Sequence, residues 1–148
     1  MGSMLFARKK PVLQRVLIVE DEPVTAFDTQ HLLSHEGYGV VATTDTAASA
    51  VALIESGATI DLVVADICLA DGTGLEVARA ARARQARTLF VTTKCPPEAQ
   101  DVADGWLAKP YRQRDLLAAI GVIEQVSKGD RPQRMPRGLT LFEPGACP

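Results

Sequence analysis

The stretch Val16-Leu17-Ile18-Val19-Glu20-Asp21-Glu22-Pro23 decides how this chain folds. Its first four residues are apolar, which is the pattern of a strand buried on both faces of a parallel sheet. Carboxylates follow directly, and Pro23 then stands where the first turn of a helix tolerates proline. The stretch therefore predicts a buried strand that ends in acidic residues and leads straight into a helix.

A second apolar run, Leu62-Val63-Val64-Ala65, ends in the same way, at Asp66. Later in the chain, Thr92 and Lys109 stand at the ends of two further apolar runs. The carboxyl ends of parallel strands meet at one edge of a sheet, and open α/β folds keep their chemistry there. We therefore expect the following side chains to converge on one rim: Glu20, Asp21, Asp66, Thr92 and Lys109.

Strand-like and helix-like segments alternate along the chain, which is typical of a parallel sheet covered by helices. The predicted strands are 15–19, 39–43, 61–65, 88–91 and 106–107. The predicted helices run from 23 to the stop at Gly37 and over 47–55, 74–85, 98–102 and 112–126. In the first of them, Val24, Phe27, His31 and Leu32-Leu33 recur at the helical spacing of three and four.

These segments predict an α/β fold, the flavodoxin-like, doubly wound, five-stranded parallel sheet with strand order 2-1-3-4-5. Its switch point lies between strands one and three, where Asp21 and Asp66 face each other. The fourth crossover is short, because Pro96-Pro97 leaves room for only a brief helix before Trp106. We therefore expect a shortened fourth helix.

The cluster of carboxylates predicts a metal site. Crowded carboxylates repel one another and favour a hard divalent cation with oxygen ligands. We expect Mg²⁺ to be held directly by Asp21 and Asp66, through water by Glu20, and by the backbone carbonyl of Cys68. Asp66 would then attack the phosphorus of a phosphodonor and form an acyl phosphate, while Lys109 balances the charge on the equatorial oxygens.

Taken in order, four motifs resemble the receiver domains of bacterial two-component response regulators, the CheY-like fold. The resemblance covers roughly residues 14–126 and rests on these runs: Val19-Glu20-Asp21-Glu22-Pro23, Asp66 with Gly74-Leu75-Glu76, Val91-Thr92-Thr93, and Trp106-Leu107-Ala108-Lys109-Pro110-Tyr111. It implies that Asp66 is the phosphoacceptor, that Glu20 and Asp21 hold magnesium, and that Lys109 pairs with the acyl phosphate. It also makes Thr92 the switch hydroxyl and Trp106 the switch aromatic residue.

The resemblance implies a phosphorelay function. A histidine kinase or a histidine phosphotransfer protein would supply the phosphoryl group, and the chain would signal to an unidentified downstream protein by contact. It would catalyse only its own phosphorylation and dephosphorylation, so we do not expect an enzyme with a separate substrate. In the family mechanism, Thr92 moves toward the phosphoryl oxygen and the aromatic ring of Trp106 swings into the vacated space.

Several residues depart from the family pattern. Leu69-Ala70 replaces the common Met-Pro after the acceptor, and the larger Thr93 follows the switch threonine. Phe90-Val91-Thr92 and the short crossover partly resemble a single-domain branch that carries a Phe-Ala-Thr-Gly run. Thr93 and the short crossover leave one alternative open, a pseudo-receiver that binds partners without taking phosphate.

Two other functions fit less well. Leu69-Ala70-Asp71-Gly72-Thr73 is similar to the Asp-x-Asp-Gly-Thr motif of haloacid-dehalogenase-type phosphatases, but Leu69 occupies the nucleophile position. Flavin binding shares the fold class, but no Ser/Thr-rich phosphate loop follows the first strand.

Composition sets the remaining expectations. The 148 residues, 47% hydrophobic and 23% charged, suit one domain, and the net charge of −2 offers nucleic acid no bulk attraction. We expect no DNA binding and, without an apolar stretch of about 20 residues, no membrane contact and a cytoplasmic location. Cys68, Cys95 and Cys147 are too widely spaced to indicate a disulfide framework or a zinc site.

The two ends of the chain are expected to lie outside the domain. We assign residues 1–13 to a tag remnant and N-terminal extension, 14–127 to the receiver domain, and 128–148 to a disordered C-terminal tail. Within the tail, Leu139-Thr140-Leu141-Phe142 offers an alternative, an added strand docked on this domain or on a partner.

Overall fold

The computed structural model describes residues 13–132 and 134–142. Strands and helices alternate through most of this span. In chain order they are β1 (Arg15–Val19), α1 (Pro23–His35), β2 (Gly39–Thr44), α2 (Ala47–Glu55), β3 (Leu62–Ala65), α3 (Gly74–Ala83), β4 (Arg87–Thr92), β5 (Gly105–Ala108), α4 (Gln113–Ser127) and β6 (Leu139–Leu141). A small hairpin, Cys68–Leu69 with Gly72–Thr73, lies between β3 and α3, and a 3₁₀ helix, Pro97–Asp101, lies between β4 and β5.

The main sheet has the order β2-β1-β3-β4-β5-β6, so the predicted order 2-1-3-4-5 is confirmed. β1 to β5 are parallel, and β6 runs antiparallel to β5. In the register of β1 and β3, Val19 lies opposite Ala65. The residues that follow, Glu20 and Asp66, therefore leave the sheet side by side.

The core lies on both faces of the sheet. Leu17 and Val19 of β1 point to the face covered by α2 and α3, whereas Val16 and Ile18 point to the face covered by α1 and α4. All four side chains are buried, as a strand between two helical layers requires. The strand that carries Glu20 and Asp21 is thus fixed on both sides.

Helix α1 buries a different face from the one that Val24 and Phe27 mark. Ala26, Thr29 and Leu33 are buried, whereas Val24 and Phe27 are 65% and 67% exposed. At 100° per residue these two stripes lie about 160° apart on the helix. The apolar spacing therefore identified the helix correctly, but Leu33 alone of the residues in that pattern is fully buried, and Ala26 and Thr29 complete the inner face.

The fourth crossover is short, as predicted. The 3₁₀ helix Pro97–Asp101 stands where a longer helix would otherwise be, and Ala99 and Ala103 fill the core beneath it. The guanidinium of Arg82 on α3 donates to the carbonyl of Asp101 and holds this segment to the neighbouring helix.

The expectation of a disordered tail is wrong for residues 139–142. β6 pairs with β5 in the register Gly105 with Leu141, Trp106 with Thr140 and Leu107 with Leu139, so the sheet has six strands rather than five. The physical reason is that β5 would otherwise present unpaired backbone groups along an edge, which an extended segment readily fills. The alternative of an added strand on the same domain is what the structure shows.

Other expectations fall at the ends of the described residues. Leu13, which we expected to lie in the N-terminal extension 1–13, packs in the core. Residues 1–12 of that expected extension and Cys147 lie outside the described residues. The proposed domain boundaries stay a prediction. Among the described residues, no helix has both the length and the apolar character that crossing a membrane requires.

Candidate functional site

Three carboxylates meet at the carboxyl ends of β1 and β3. Glu20 and Asp66 are 4% and 9% exposed, and Asp21 is exposed beside them. One ligand oxygen from each of the three lies within 4.8 Å of the others. The predicted convergence of the acids is therefore found, and the burial of two of them requires a cation or a set of hydrogen bonds to offset their charge.

Lys109 supplies positive charge at the end of β5. Its Nζ donates to Glu20 Oε1 at 2.8 Å and to Asp66 Oδ2 at 2.9 Å. Burial lowers the pKa of Lys109, but the hydrogen bonds and charges of the two carboxylates outweigh it and raise the pKa above its ordinary value. The side chain is therefore an ammonium ion at neutral pH. The peptide bond from Lys109 to Pro110 is cis.

The backbone around Asp66 fixes the direction of its carboxylate. Asp66 N donates to Val19 O at 3.0 Å, and Asp66 Oδ1 accepts from Cys68 N at 3.1 Å. One carboxylate oxygen thus faces an ammonium ion and the other a backbone N–H. The role of the Cys68 carbonyl as a metal ligand stays a prediction.

Gly74 explains part of the motif that follows Asp66. A Cβ atom at this position would stand 2.3 Å from the carbonyl oxygen of Asp66 and 3.1 Å from Phe90 Cε1. Gly74 N also donates to Ile67 O at 2.8 Å, which closes the hairpin against the start of α3. Only glycine lets α3 begin this close to the acidic residue.

Thr92 and Trp106 meet through the backbone. The carbonyl of Thr92 accepts the N–H of Lys109 and the indole N–H of Trp106, each at 3.0 Å. Thr92 itself is buried at 4% exposure, and Trp106 packs half-buried on the α2/α3 face. The sequence predicted both residues at the site but not this indole bond, although a half-buried tryptophan usually finds a partner for its N–H.

Asp71 is a structural residue that the sequence analysis did not assign to the site. Its carboxylate accepts from the N–H groups of Ala47 at 2.7 Å and Ala48 at 3.0 Å, at the start of α2. These backbone bonds, that of Ala48 first, lower the pKa of Asp71. Leu69, beside it in the hairpin, is buried and carries no nucleophile, which argues against the phosphatase interpretation. An aspartate in a tight loop is a common partner for backbone N–H groups, but no neighbouring residue indicated that those groups would belong to α2.

A groove of about 520 Å³ opens beside Lys109, between α1 and the turn that follows β5. Thr25 and Leu32 line it from α1, and Tyr111 and Leu116 line it from the other side. Burial raises the pKa of Tyr111, against the lowering effect of its bond to Thr29 and of the Lys109 charge. The acidic cluster therefore lies next to a largely apolar recess.

The comparison with known families agrees with this geometry. A family model described as "Response regulator receiver domain" matches residues 16–121. This chain belongs to the receiver domain family. The match runs from β1 into α4 and includes all the residues predicted to form the rim.

Curated relatives of this receiver domain are longer proteins. The chain is 32% identical over 130 residues to sensory transduction protein RegX3 of Mycobacterium tuberculosis, covering 84% of the chain and 56% of that protein. It is 32% identical over 111 residues to the TorCAD operon transcriptional regulatory protein TorR of Escherichia coli, covering 71% of the chain and 47% of that protein. The chain thus spans about half the length of these relatives.

A solved structure supports the fold. The CheY-like response regulator receiver domain protein of Methanospirillum hungatei superimposes with a TM-score of 0.71 at 30% identity, covering 79% of this chain and 98% of that one. The predicted CheY-like α/β fold is therefore confirmed.

The acidic cluster of this receiver domain fits a magnesium ion. Oxygen ligands with more than one negative charge are the donor set that Mg²⁺ prefers, and the carboxylate atoms lie close enough to share one ion. Glu20, Asp21 and Asp66 would hold it. Two of these three carboxylates, Glu20 and Asp66, also bind Lys109.

Proposed function

We propose that this receiver domain accepts a phosphoryl group on Asp66 from a histidine kinase or a histidine phosphotransfer protein, in a reaction that requires Mg²⁺. The observation that supports it most directly is the pairing of Asp66 with Lys109, next to Glu20 and Asp21. Three carboxylates share one lysine here, so the cluster keeps a net negative charge, which is unfavourable in a purely structural role. In a phosphoacceptor site, the same carboxylates would bind Mg²⁺, and the lysine would offset the charge of the transferred group.

The chemistry assigns a role to each side chain. An oxygen of Asp66 forms a bond to phosphorus while the bond from phosphorus to the donor's histidine nitrogen breaks, and that nitrogen leaves with the electron pair. Mg²⁺ at the three carboxylates would neutralise charge on the transferred group. Lys109 holds its ammonium 2.9 Å from the acceptor carboxylate, where it stabilises the equatorial oxygens. The Thr92 hydroxyl is the switch that responds to the new group.

The modified residue belongs to the chain itself. The domain therefore catalyses only its own phosphorylation and dephosphorylation, and it is not an enzyme with a separate substrate. Its output is contact with a downstream protein, and its location is the cytoplasm, where kinases have access to ATP.

The exposed apolar residues of α1 support a helical donor. Val24 and Phe27 lie on the solvent face of the helix that begins beside Asp21, and the groove lined by Leu32 and Tyr111 opens at its other side. An amphipathic helix that buries Val24 and Phe27 would bring its histidine toward the rim. We propose that the donor docks there.

We also propose that the receiver domain itself makes its output by contact with protein rather than with DNA. TorR is named a transcriptional regulatory protein, and this chain matches 47% of it. The net charge of −2 gives the chain no electrostatic attraction for DNA, so protein contact is the better proposal for the receiver itself.

The test follows the fluorescence of Trp106, the one tryptophan of the sequence, while Mg²⁺ and then beryllofluoride are added. Beryllofluoride mimics the aspartyl phosphate. We expect a Mg²⁺-dependent change that saturates with beryllofluoride and is absent in Asp66→Asn. Intact-mass measurement after incubation with acetyl phosphate provides a second readout, which does not depend on Trp106.

A pseudo-receiver gives a different result. The larger Thr93, which lines the groove beside Lys109, is the observation that favours it. If Mg²⁺ binds but neither beryllofluoride nor acetyl phosphate modifies the chain, the acceptor role is wrong and the interaction module is correct.

A further inference from the structure

The edge of β5 is occupied by the chain's own C-terminal segment, residues 138–142. Ala108 N donates to Gly138 O at 3.0 Å, and Phe142 N donates to Asp104 O at 3.0 Å. Because hydrogen-bonded pairs alternate in an antiparallel ladder, Thr140 between them directs its N–H at Trp106. The segment thus follows β5 along its whole length.

Side chains of this segment reach both faces of the sheet. Leu139 and Leu141 pack against the cluster under α4, and Phe142 packs against the cluster on the α2/α3 face. Thr140 between them is exposed. The alternation of apolar and polar residues matches the pleat of an edge strand, so the fit is specific to this register.

Gly105 makes room for this contact. The three atoms nearest to a Cβ built at Gly105 all belong to the C-terminal segment, with Thr140 O at 3.2 Å the closest. β5 is therefore shaped to accept a close neighbour at this edge.

A continuous set of contacts joins the segment to the acceptor carboxylate. Lys109, which binds Asp66 at 2.9 Å, directly follows Ala108, whose N–H is bonded to Gly138. Trp106, opposite Thr140, donates to the same Thr92 carbonyl that Lys109 binds. A displacement of Lys109 toward a new charge on Asp66 therefore acts on the end of the β5–β6 ladder.

We propose that the β5 edge is a strand-accepting surface, that the chain's own 138–142 segment occupies it while Asp66 is unmodified, and that phosphorylation of Asp66 releases the segment. The inference rests on the proposed function for its trigger. The released edge would accept an extended segment of a downstream protein with alternating apolar residues, by the same backbone pairing.

The strand is suited to reversible docking. It has three residues, its leucines are only half-buried, and its backbone bonds are neutral. Within a folded protein, segments with few buried contacts have the lowest free energies of local opening. A small difference in docking free energy between the unmodified and phosphorylated forms of Asp66 is then enough to change how often the segment occupies the β5 edge.

Docking is tested first, without any phosphoryl chemistry. Hydrogen exchange of the Ala108 amide is compared in the full chain, in Thr140→Pro and in the matched control Thr140→Val. Proline has no N–H for the ladder, whereas valine keeps it and suits a strand. We expect Ala108 to lose protection about tenfold or more in Thr140→Pro and to keep it in Thr140→Val. Equal protection in all three proteins overturns the docking.

Gly105→Ala approaches the same contact from β5. It should speed the exchange of the Phe142 amide without any change in the tail sequence, because its Cβ crowds Thr140. If Thr140→Pro fails to fold, this variant decides the docking: an unchanged Phe142 amide overturns it.

Coupling is tested with Mg²⁺ and beryllofluoride on the wild-type chain. We expect the Phe142 amide to exchange about tenfold faster once beryllofluoride is bound, and Asp66→Asn to show no change. By reciprocity, Thr140→Pro should bind beryllofluoride correspondingly more tightly than Thr140→Val. Bound beryllofluoride with an unchanged or slower Phe142 amide overturns the coupling while the acceptor role stands. Absence of beryllofluoride binding overturns the acceptor role and the trigger together, while the docking result stands on its own.

Discussion

The acidic rim and the β5 edge are held by different forces. At the rim, Lys109 binds Glu20 and Asp66 through charge-assisted bonds of 2.8 and 2.9 Å between groups that are largely buried. At the edge, a three-residue strand is held by neutral backbone bonds such as Ala108 to Gly138, with side chains that remain partly exposed. Both regions belong to one sheet and share β5, which carries Lys109 at its end and pairs with β6 along its side.

This difference separates two tasks. Hydrogen bonds to charged groups contribute roughly 1.5–3 kcal/mol, against about 1 kcal/mol for neutral ones, and a buried charge without its partner costs more still. The rim therefore changes only when its charges change, for example when a phosphoryl group or a metal ion arrives. The edge opens at small cost, so it is suited to report that change.

The largest effect is expected from Gly74→Ala, which tests whether the rim tolerates displacement. Its Cβ would stand 2.3 Å from the carbonyl oxygen of Asp66, and that backbone cannot move without shifting the acceptor. We expect a loss of about 3 kcal/mol in the free energy of unfolding, measured by urea denaturation, and slower phosphorylation by acetyl phosphate.

Two other glycines provide matched controls. A Cβ at Gly121 in α4 meets nothing within 4 Å, so Gly121→Ala should stabilise the protein by up to about 1 kcal/mol. A Cβ at Gly105 meets Thr140 O at 3.2 Å, and the edge strand can yield, so Gly105→Ala should cost less than about 1 kcal/mol. If Gly74→Ala costs no more than Gly105→Ala, the rim is not the rigid region.

Removal of the rim cation is expected to have the next largest effect. Lys109→Met leaves Glu20 and Asp66 buried together without a counter-charge, and we expect a loss of about 2 kcal/mol of stability in metal-free buffer. Phosphorylation by acetyl phosphate should slow about 100-fold, because a donor to the transferred oxygens is lost. Mg²⁺ should bind about tenfold more tightly, because the ammonium no longer competes for the carboxylates.

Lys109→Arg separates charge from geometry. It keeps the positive charge, so it should recover most of the stability, but the wide guanidinium does not replace a compact ammonium between two carboxylates. An unchanged Mg²⁺ affinity in Lys109→Met would show that the lysine and the metal do not share these ligands.

The rim could be predicted from the sequence because its information is local. Val16–Val19 and Leu62–Ala65 identify two buried parallel strands, and the next residue of each is then placed at the same edge of the sheet. The position of a buried strand and the residue at its end can both be predicted without information about distant residues. Lys109 followed from the same argument applied to β5.

The rest depends on contacts between distant segments. Leu139-Thr140-Leu141 alternates as a strand does, but the edge that accepts it exists only once β5 has paired with β4. The inner face of α1 was missed for a related reason. Ala26 and Thr29 are buried because α1 packs closely on the domain, whereas Phe27 is larger and lies in solvent.

The smallest effect is expected from Asp71→Asn, which tests whether the charge of Asp71 anchors the hairpin to α2. The N–H groups of Ala48 and Ala47 lower the pKa of Asp71, so the folded state favours its charged form. Stability from this carboxylate is therefore present above the ordinary aspartate pKa of about 3.9 and is lost as the pH falls through the lower, folded value. The urea midpoint of Asp71→Asn should lie slightly below that of the wild type at pH 7, and the two should converge as the pH falls below about 4. A difference that stays constant over this range would mean that the charge of Asp71 does not contribute, and that the hairpin between β3 and α3 is held by its own turn alone.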